Sequence, residues 1–479
     1  AKDKKDRSIA SASSEYTAAV VQIANRKAAK MGGVGVELGE SNTGNGLSKD
    51  QLAVQHAAAE NADTASAAEM TNDAAKDKET VISAAKTRHI NDVEAAAIAA
   101  AAAMTTTPVM AETLKIGFIN TFSGGAAIYG KHQKDALELA LDHKGRKIGG
   151  LDVEVIYGDD QRKPDVGRQV AAKMLKKDKV HVVSGIIWSN ILAAVQKMVV
   201  RDKTFMITTN AGWSHMAGKG CNPYFFSTSW NNDQSPEAMG KLMQDAKIDN
   251  VFLISANYQA GKDMLTGFMR NYKGKVAGRI LYRLGQRDYQ AELTQIRAAK
   301  PNAIFGFVPG GMGVAFGKQY RAAGMHKTIP FYSVFTIDYL SMPGWGKNAI
   351  GTFHTSYWDV SSKRPANQKF INDYKKKYGY HPSMFGAQAY DLPFLLEKAV
   401  SAVNGDLSNK KGMIAAMEKV TYLPSKGKFR YNTNHMPIQN FYKRKVVADA
   451  NGDPQVVTES VVLRDHKDAY YQKCKMKRP

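Results

Sequence analysis

The chain has 479 residues, 44% of them hydrophobic and 9% aromatic, which suggests two or three domains with sizeable cores and excludes disordered and fibrous classes. It carries a formal net charge of +22, and no run of about 18 or more apolar residues provides an ordinary membrane-spanning helix. The only cysteines are Cys221 and Cys474, which excludes a disulfide-dense scaffold and a cysteine zinc site and leaves one disulfide open.

Residues 1–111 differ in composition from the rest of the chain. They contain 29 alanines and a single aromatic residue, Tyr16, and they carry a formal charge of −2 against +24 for residues 112–479. Such a segment can bury little apolar area, and its Ala, Glu, Lys and Gln residues favour solvated helix. We therefore predict an Ala-rich extension outside the fold.

The end of this extension has the pattern of a secretory signal. The basic stretch 86–89 precedes the apolar run 95–104, and V-M-A at 109–111 forms a small-x-small cleavage site that would make Glu112 the first mature residue. Acidic residues beside the run, and its distance from the first residue, do not fit that pattern. Two alternatives stay open: a precursor whose assigned start lies too far upstream, with Met70 as the true start, and a retained helical tail used for self-assembly.

From Leu114 onward, apolar runs typical of buried strands alternate with helical patterns. The predicted strands are residues 114–120, 153–159, 181–187 and 205–210, and the predicted helices are residues 129–143, 164–177 and 189–201, the last of them capped by Ser189. Because strands that alternate with helices form parallel sheets with both faces covered, this part predicts one α/β lobe.

After a further apolar segment at 225–230, the alternation starts again. The predicted strands are residues 251–257, 278–284, 303–309 and 330–335, and the predicted helices are residues 235–246, 261–272, 289–299 and 313–323. Three more helical patterns, at 366–378, 385–403 and 410–419, precede a strand-rich end at 428–462. The fold class is therefore α/β, with two doubly wound Rossmann-like lobes between which the chain crosses more than once.

Enzyme motifs are weak throughout the chain. The first turn, TFSGG at 121–125, lacks the G-x-G-x-x-G spacing of a dinucleotide site, and no P-loop, H-E-x-x-H or G-x-S-x-G motif is present. Asp159 and Asp160 follow a strand, where a solvated pair or a cap fits better than catalytic acids. The basic residues follow solvated helix faces without interleaved aromatic residues, which argues against nucleic acid. We predict a protein that is not an enzyme and has no cofactor or metal.

The carboxyl ends of the predicted strands are the informative positions, because ligands of open parallel sheets bind there. A helix that starts near Ser189 offers free backbone N–H groups and a positive dipole end, which suit a carboxylate. Aromatic residues surround this position, and packing in the core or in loops is the alternative role for each of them. The strand-end candidates are Tyr129, Trp188, Ser189, Asn190, Asn210, Ala211, Gly212, Tyr258 and Phe335.

The order of several segments resembles a known family. These segments are LKIGFINTFSGGAAIYGKHQKDALELALD (114–142), VEVIYGDD (153–160), VVSGIIWSN (182–190), FMITTNAG (205–212), DYQAELTQIRAAKPNAIFGFVPGG (288–311) and GAQAYDLPFLLEKAV (386–400). Residues 112–445 resemble the type I periplasmic substrate-binding proteins of ABC importers, in the branched-chain amino-acid-binding group.

This resemblance implies two lobes joined by a multi-strand hinge near Trp230 and Trp358. The first lobe would comprise residues 112–231 and about 359–431. The second lobe would comprise residues 232–358 and about 432–479, a range that includes the C-terminal tail. It also implies export to the periplasm, capture of a small molecule in the cleft between the lobes, and delivery to an ABC permease in the membrane.

The resemblance also implies roles for individual residues. The family's carboxylate-binding serine falls on Ser189, its next loop falls on Asn210, Ala211 and Gly212, its first-loop aromatic residue falls on Tyr129, and its second-lobe contacts fall near Tyr258, Phe307 and Phe335. Amino-acid binders have an acidic residue at the position of Phe335, to pair with the ligand's ammonium group. Here the nearest substitute is Asp338.

We therefore predict an aromatic monocarboxylate as the ligand, with a branched-chain or other amino acid as the alternative. A ligand-sensing domain and a structural assembly subunit that uses residues 1–111 are alternatives from other functional classes. Because an oxidising compartment preserves disulfides, export further predicts a Cys221–Cys474 bond that holds the C-terminal tail near the first lobe; two unpaired thiols are the alternative.

Overall fold

The computed structural model describes residues 112–479, so the Ala-rich extension and its signal-like end lie outside the described residues. The first lobe contains one six-stranded sheet. Its strands are β1 (Leu114–Asn120), β2 (Lys147–Ile148), β3 (Leu151–Asp159), β4 (Val182–Gly185), β5 (Phe205–Thr208) and β6 (Phe225–Ser227). The strand order is β2-β3-β1-β4-β5-β6, and every neighbouring pair is parallel except β2–β3.

Three helices connect these strands: α1 (Ala127–His143), α2 (Pro164–Lys173) and α3 (Ser189–Arg201). Pro164 begins α2, where its fixed φ already suits a helix. Its missing N–H group costs nothing there, because the first N–H groups of a helix have no acceptor within the helix. The prediction that α2 runs to Lys177 is wrong, because the helix ends at Lys173 and passes into a single π-helical turn, Met174–Asp178.

The second lobe contains an eight-stranded mixed sheet. Its strands are β7 (Asn250–Ala256), β8 (Lys275–Tyr282), β9 (Ala303–Phe307), β10 (Phe331–Val334), β11 (Phe353–Ser356), β14 (Arg430–Tyr431), β15 (Pro437–Ala448) and β16 (Pro454–His466). The strands β12 (Tyr422–Leu423) and β13 (Gly427–Lys428) form a separate hairpin. The parallel strands follow the order β8-β7-β9-β10-β11, and the antiparallel strands β14, β15 and β16 extend the β11 edge.

The remaining helices show how the chain passes between the two sheets. They are α4 (Gln234–Asp245), α5 (Gln259–Asn271), α6 (Gln290–Ala299), α7 (Gly311–Ala322), α8 (Met342–Trp345), α9 (Pro365–Tyr378), α10 (Met384–Ser401) and α11 (Lys410–Glu418). Helices α9 and α10 pack on α1 of the first lobe, after which the chain returns to the second sheet through β15 and β16. The fold is therefore the predicted pair of α/β lobes, and the numerical domain boundaries stay predictions.

Cys221 and Cys474 form the predicted disulfide, with their Cα atoms 5.7 Å apart. The bond fixes the C-terminal tail to the loop that precedes β6 of the first lobe. Within residues 112–479, no helix combines the length and apolar character needed to cross a bilayer.

Candidate functional site

A cavity lies between the two lobes, at the carboxyl ends of strands from both sheets. The space between its lining atoms, counted together with open solvent, is about 360 Å³. Eight of the predicted site residues line it: Tyr129, Trp188, Ser189, Asn210, Ala211, Tyr258, Phe307 and Phe335. The structure thus brings these side chains together around one space, and their role toward a ligand stays a prediction.

Seven further residues line the cavity and were absent from the predicted set: Ile187, Trp230, Asn232, Ala260, Met264, Pro309 and Phe385. Trp230 and Asn232 lie on the crossover between the lobes, and Phe385 lies in the first turn of α10. Trp230, Asn232 and Phe385 do not follow a predicted strand, so their place in the sequence gives no signal of a site. Ile187 and Pro309, in contrast, end the predicted strands 181–187 and 303–309, and that position was a signal for them. Proximity to the predicted hinge is the one signal that could have pointed to Trp230.

Ser189 opens helix α3, but it is not the cap of that helix as predicted. Trp188 occupies the N-cap position with an extended backbone (φ −102°, ψ 129°), and Ser189 is the first helical residue. The Ser189 side chain is 1% exposed, and its Oγ accepts a hydrogen bond from Asn232 Nδ2 over 3.0 Å. Backbone N–H groups at the start of a helix have no intrahelical acceptor, so this end of the cavity offers hydrogen-bond donors and a positive dipole end.

The loop after β5 contributes one polar side chain and one methyl group to the cavity. Asn210 Nδ2 donates to the carbonyl oxygen of Ile187 over 2.7 Å, while its Oδ1 is buried without a hydrogen-bond partner among the described residues. The N–H of Ala211 donates to the carbonyl oxygen of Ile186 over 3.0 Å, and Ala211 lines the cavity. Asn210 therefore has acceptor capacity left for a ligand.

Two predicted residues, Asn190 and Gly212, do not line the cavity. The carbonyl oxygen of Gly212 accepts a hydrogen bond from the backbone N–H of Asn232 over 2.8 Å. A Cβ atom at Gly212 would lie 2.5 Å from the carbonyl oxygen of Trp230, closer than any real Cβ contact. Gly212 therefore allows the interlobe crossover to pack against the β5 loop, which brings Trp230 and Asn232 to the cavity.

Seven of the fifteen residues that line the cavity are aromatic. Trp230 stacks on Phe335 with their centroids 4.4 Å apart and an interplanar angle of 30°. Tyr129 meets Trp188 and Phe385 edge to face, at 5.6 Å and 5.0 Å between centroids. A planar ring that entered this space would find both faces and edges of aromatic side chains to pack against.

Two bulky residues beside the cavity have backbones in the left-handed region. Ile186 has φ 59° and Phe335 has φ 51°. A positive φ is costly for a β-branched or aromatic residue, and such strain persists where the surrounding structure fixes it, often at ligand sites. The ring of Phe335, which stacks on Trp230, is therefore carried by a strained backbone.

The hydroxyl of Tyr129 is buried in the cavity wall without a hydrogen-bond partner among the described residues. Burial raises the pKa of Tyr129 well above its ordinary value, and the nearby charge of Asp338 raises it further. The phenol therefore stays protonated and offers a donor to an acceptor placed in the cavity.

No residue that lines the cavity is acidic. Asp338, the expected substitute for a counter-charge, is 1% exposed and does not line the cavity. It accepts a hydrogen bond from the N–H of Met384 over 3.0 Å and pairs with Arg444 over 3.3 Å. The carboxylate of Asp338 is thus already paired inside the protein and does not face the space where a ligand's ammonium group would lie.

Asp159 and Asp160 hold the turn after β3; the expectation of a solvated pair or a helix cap is wrong, because Asp160 is fully buried and Lys163 occupies the N-cap of α2. Asp159 Oδ1 accepts the N–H of Gln161 over 2.9 Å, and Asp160 Oδ1 accepts the N–H of Arg162 over 2.8 Å. Within the described part of the chain, no group of three His, Cys, Asp or Glu side chains is placed to hold a metal ion.

Comparisons with known proteins place this geometry in a family. A family model described as "periplasmic binding protein" matches residues 113–452. Leu/Ile/Val-binding protein homolog 6 of Brucella melitensis biotype 1 is 25% identical over 352 residues, which cover 71% of this chain and 90% of that protein.

Two solved structures are also similar. One is an ABC transporter solute-binding protein from R. palustris in complex with benzoate, with 28% identity and a TM-score of 0.71, covering 76% of this chain and 100% of that chain. The other is a solute-binding protein of an ABC transporter from Rhodopseudomonas palustris BisB5 in complex with 3,4-dihydroxybenzoic acid, with 27% identity and a TM-score of 0.70, covering 74% and 99%.

Proposed function

This chain belongs to the periplasmic binding protein family, and on that basis we propose that it is an exported solute-binding protein that captures an aromatic monocarboxylate and delivers it to an ABC permease. The protein acts by binding alone, without a chemical step. The single observation that carries the proposal is the composition of the interlobe cavity, which combines aromatic side chains, an unused donor in the Tyr129 hydroxyl and no acidic side chain.

The two ends of such a ligand fit different parts of this cavity. A carboxylate at the first turn of α3 would accept from the free N–H groups there and from the Ser189 hydroxyl. The aromatic ring would lie among the rings of Trp188, Tyr258, Phe307 and their neighbours. Benzoate and 3,4-dihydroxybenzoic acid, the ligands of the two similar solved structures, combine the same two chemical groups.

A branched-chain amino acid is the second candidate, because the Brucella relative carries the name of a Leu/Ile/Val-binding protein. Its ammonium group would need a buried counter-charge, since an unpaired buried charge costs several kcal/mol. The cavity supplies none, and Asp338 is paired with Arg444. The charge distribution therefore favours the aromatic acid.

Binding in an interlobe cavity requires the lobes to open, and we place the hinge near Trp230 and Trp358. Trp230 lines the cavity, and Trp358 is fully buried, with its Nε1 donating to Asn367 Oδ1 over 2.8 Å. Closure on the ligand would form the surface that the permease recognises. Small-angle scattering should show compaction when ligand is added, and an unchanged scattering curve at saturation would contradict the hinge.

A thermal-shift panel tests the ligand class. The panel would contain benzoate, 4-hydroxybenzoate and cinnamate on one side, and leucine, isoleucine and valine on the other. A ligand at 100 times its dissociation constant adds about 2.7 kcal/mol to the free energy of unfolding, which raises the melting temperature measurably. We expect a shift with at least one aromatic acid; shifts confined to the amino acids would contradict the proposal.

A further inference from the structure

A second cavity lies at the mouth of the interlobe cleft, outside the aromatic cavity. Its empty volume is about 540 Å³, and it shares Tyr129, Trp188 and Pro309 with the inner cavity. The rings of Tyr129 and Trp188 thus belong to the walls of both cavities, and the outer cavity adjoins the proposed ligand site.

Two arginines from opposite lobes line the outer cavity. Arg162 follows β3 in the first lobe, and Arg287 lies between β8 and α6 in the second lobe. The Cζ atom of Arg162 lies 5.8 Å from the centroid of the Trp188 ring, and Arg287 Nη1 donates to the carbonyl oxygen of Gly311 over 3.3 Å. Among the described residues, neither guanidinium has a carboxylate within 4.0 Å.

Each arginine reaches the edge of the opposite lobe. A Cβ atom built on Gly285 of the second lobe would lie 3.5 Å from Arg162 Nη2, and one built on Gly125 of the first lobe would lie 3.4 Å from Arg287 Nη2. One positive charge from each lobe thus lines the same cavity, and neither is ion-paired with a carboxylate of the described residues. This arrangement concentrates positive potential at the mouth, and an anion located there would offset the repulsion.

The backbone holds Arg162 in this place. Gln161 and Arg162 are both left-handed, with φ 51° and φ 59°, and their N–H groups are bound by the carboxylates of Asp159 and Asp160. Asp160 also accepts the hydroxyl of Thr121 over 2.5 Å, and Thr121 accepts the indole N–H of Trp188 over 2.9 Å. One hydrogen-bonded chain therefore links the strained turn that carries Arg162 to the ring shared by the two cavities.

We propose that the outer cavity is an entry site for carboxylates, in which Arg162 and Arg287 capture the anionic ligand before it moves past Tyr129 and Trp188 into the inner cavity. This inference rests on the proposed function, because it requires an anionic ligand. Electrostatic capture of this kind acts on the association rate, and salt screens it because the arginines are solvent-accessible. The inner cavity, not the arginines, then sets how long the ligand stays.

The test is stopped-flow tryptophan fluorescence with benzoate as the probe, because Trp188 and Trp230 line the inner cavity. The variant is Arg162→Gln/Arg287→Gln. Glutamine already occupies the left-handed position 161, so the substitution at 162 suits the same turn. The matched control is Arg201→Gln/Arg279→Gln, which removes one exposed arginine from each lobe. The control therefore has the same net charge as the Arg162→Gln/Arg287→Gln variant.

At low ionic strength, we expect the association rate constant of the Arg162/Arg287 variant to fall about 10-fold, the lower end of the range of electrostatic steering, while its dissociation rate constant stays unchanged. The control should match the unmodified protein, and the difference should vanish at high salt. Equal association rates for variant and control would overturn the entry site. A loss carried by the dissociation rate would also overturn it, by placing the arginines on the bound ligand. Absence of a benzoate signal in the unmodified protein would instead contradict the proposed function.

Discussion

The side-chain amide of Asn232 donates to the hydroxyl of Ser189 over 3.0 Å, and through this bond the crossover between the lobes contacts the first turn of α3. The same Asn232 amide group donates to Asp263 Oδ2 over 2.9 Å, on helix α5 of the second lobe. Ser189 is therefore held in place from the second lobe. A carboxylate bound at Ser189 would contact a residue whose position depends on how the lobes are arranged.

Replacement of Ser189 by alanine should weaken the binding of an aromatic monocarboxylate by about 1–3 kcal/mol, the cost of removing a hydrogen bond to a charged group. Isothermal titration calorimetry with benzoate measures this change. Ser401→Ala, an exposed serine at the end of α10, is the matched control and should bind as the unmodified protein does. Equal affinities in the two variants would show that Ser189 does not hold the carboxylate.

Phe335→Leu should weaken the binding of aromatic acids by about 0.5–1.5 kcal/mol, because leucine keeps an apolar surface but lacks the ring that stacks on Trp230. The control is Phe353→Leu, which removes a ring that stacks on Tyr332 outside the cavity. Titrations with benzoate and with an aliphatic acid such as hexanoate separate ring stacking from general apolar burial. A loss of the same size for both acids would argue against the stacked ligand.

The strand and helix alternation could be predicted from the sequence because buried parallel strands are continuous apolar runs, as in β1 and β9. The short strand β11 (Phe353–Ser356) was missed, because one aromatic residue followed by three polar ones gives neither an apolar run nor an alternating pattern. The predicted start of α3 at Ser189 is correct, but the predicted N-cap is wrong. Serine at the start of a helix is usually the N-cap, whereas here Trp188 occupies that position.

The candidate site could be predicted only where a strand ends. Ser189, Asn210 and Phe335 follow predicted strands, and the parallel sheet brings them to one edge. Trp230 and Phe385 reach the cavity because the chain crosses the hinge and returns through α10. These are contacts between segments distant in sequence, for which no local pattern exists.

We predict that burial of His132 makes the stability of the first lobe sensitive to acid. It lies on α1 with 3% of its surface exposed, and burial lowers its pKa to about 3, with smaller contributions from the charges of Lys131 and His381. Between pH 6.5 and about 3 the unfolded chain therefore binds a proton at this site that the folded chain does not. The contribution of His132 to stability is present above pH 6.5 and is lost as the pH falls toward 3.

At pH 5 this loss should amount to about 2 kcal/mol relative to pH 7.5, since each pH unit below the unfolded pKa corresponds to about 1.4 kcal/mol. Denaturant unfolding of the unmodified protein and of His132→Gln at both pH values measures it. We expect the variant to lose about 2 kcal/mol less than the unmodified protein on acidification. Identical pH dependence in the two proteins would contradict the assignment to His132.

Removal of the disulfide in Cys221→Ser/Cys474→Ser should lower the free energy of unfolding by about 5 kcal/mol, because the bond closes a loop with a sequence separation of 253 residues. Denaturant unfolding gives the change. Thiol titration of the denatured, unreduced protein should find no free thiol from these two cysteines. Two reactive thiols in that sample would contradict the bond.

The central claim is that the interlobe cavity selects an aromatic carboxylate and rejects a zwitterion. Displacement calorimetry tests it most directly: benzoate is titrated into the protein alone and into the protein with a large excess of leucine. We predict a saturable one-site heat with benzoate and the same dissociation constant for benzoate in the presence of leucine. Tight leucine binding, together with no heat from benzoate, would contradict it.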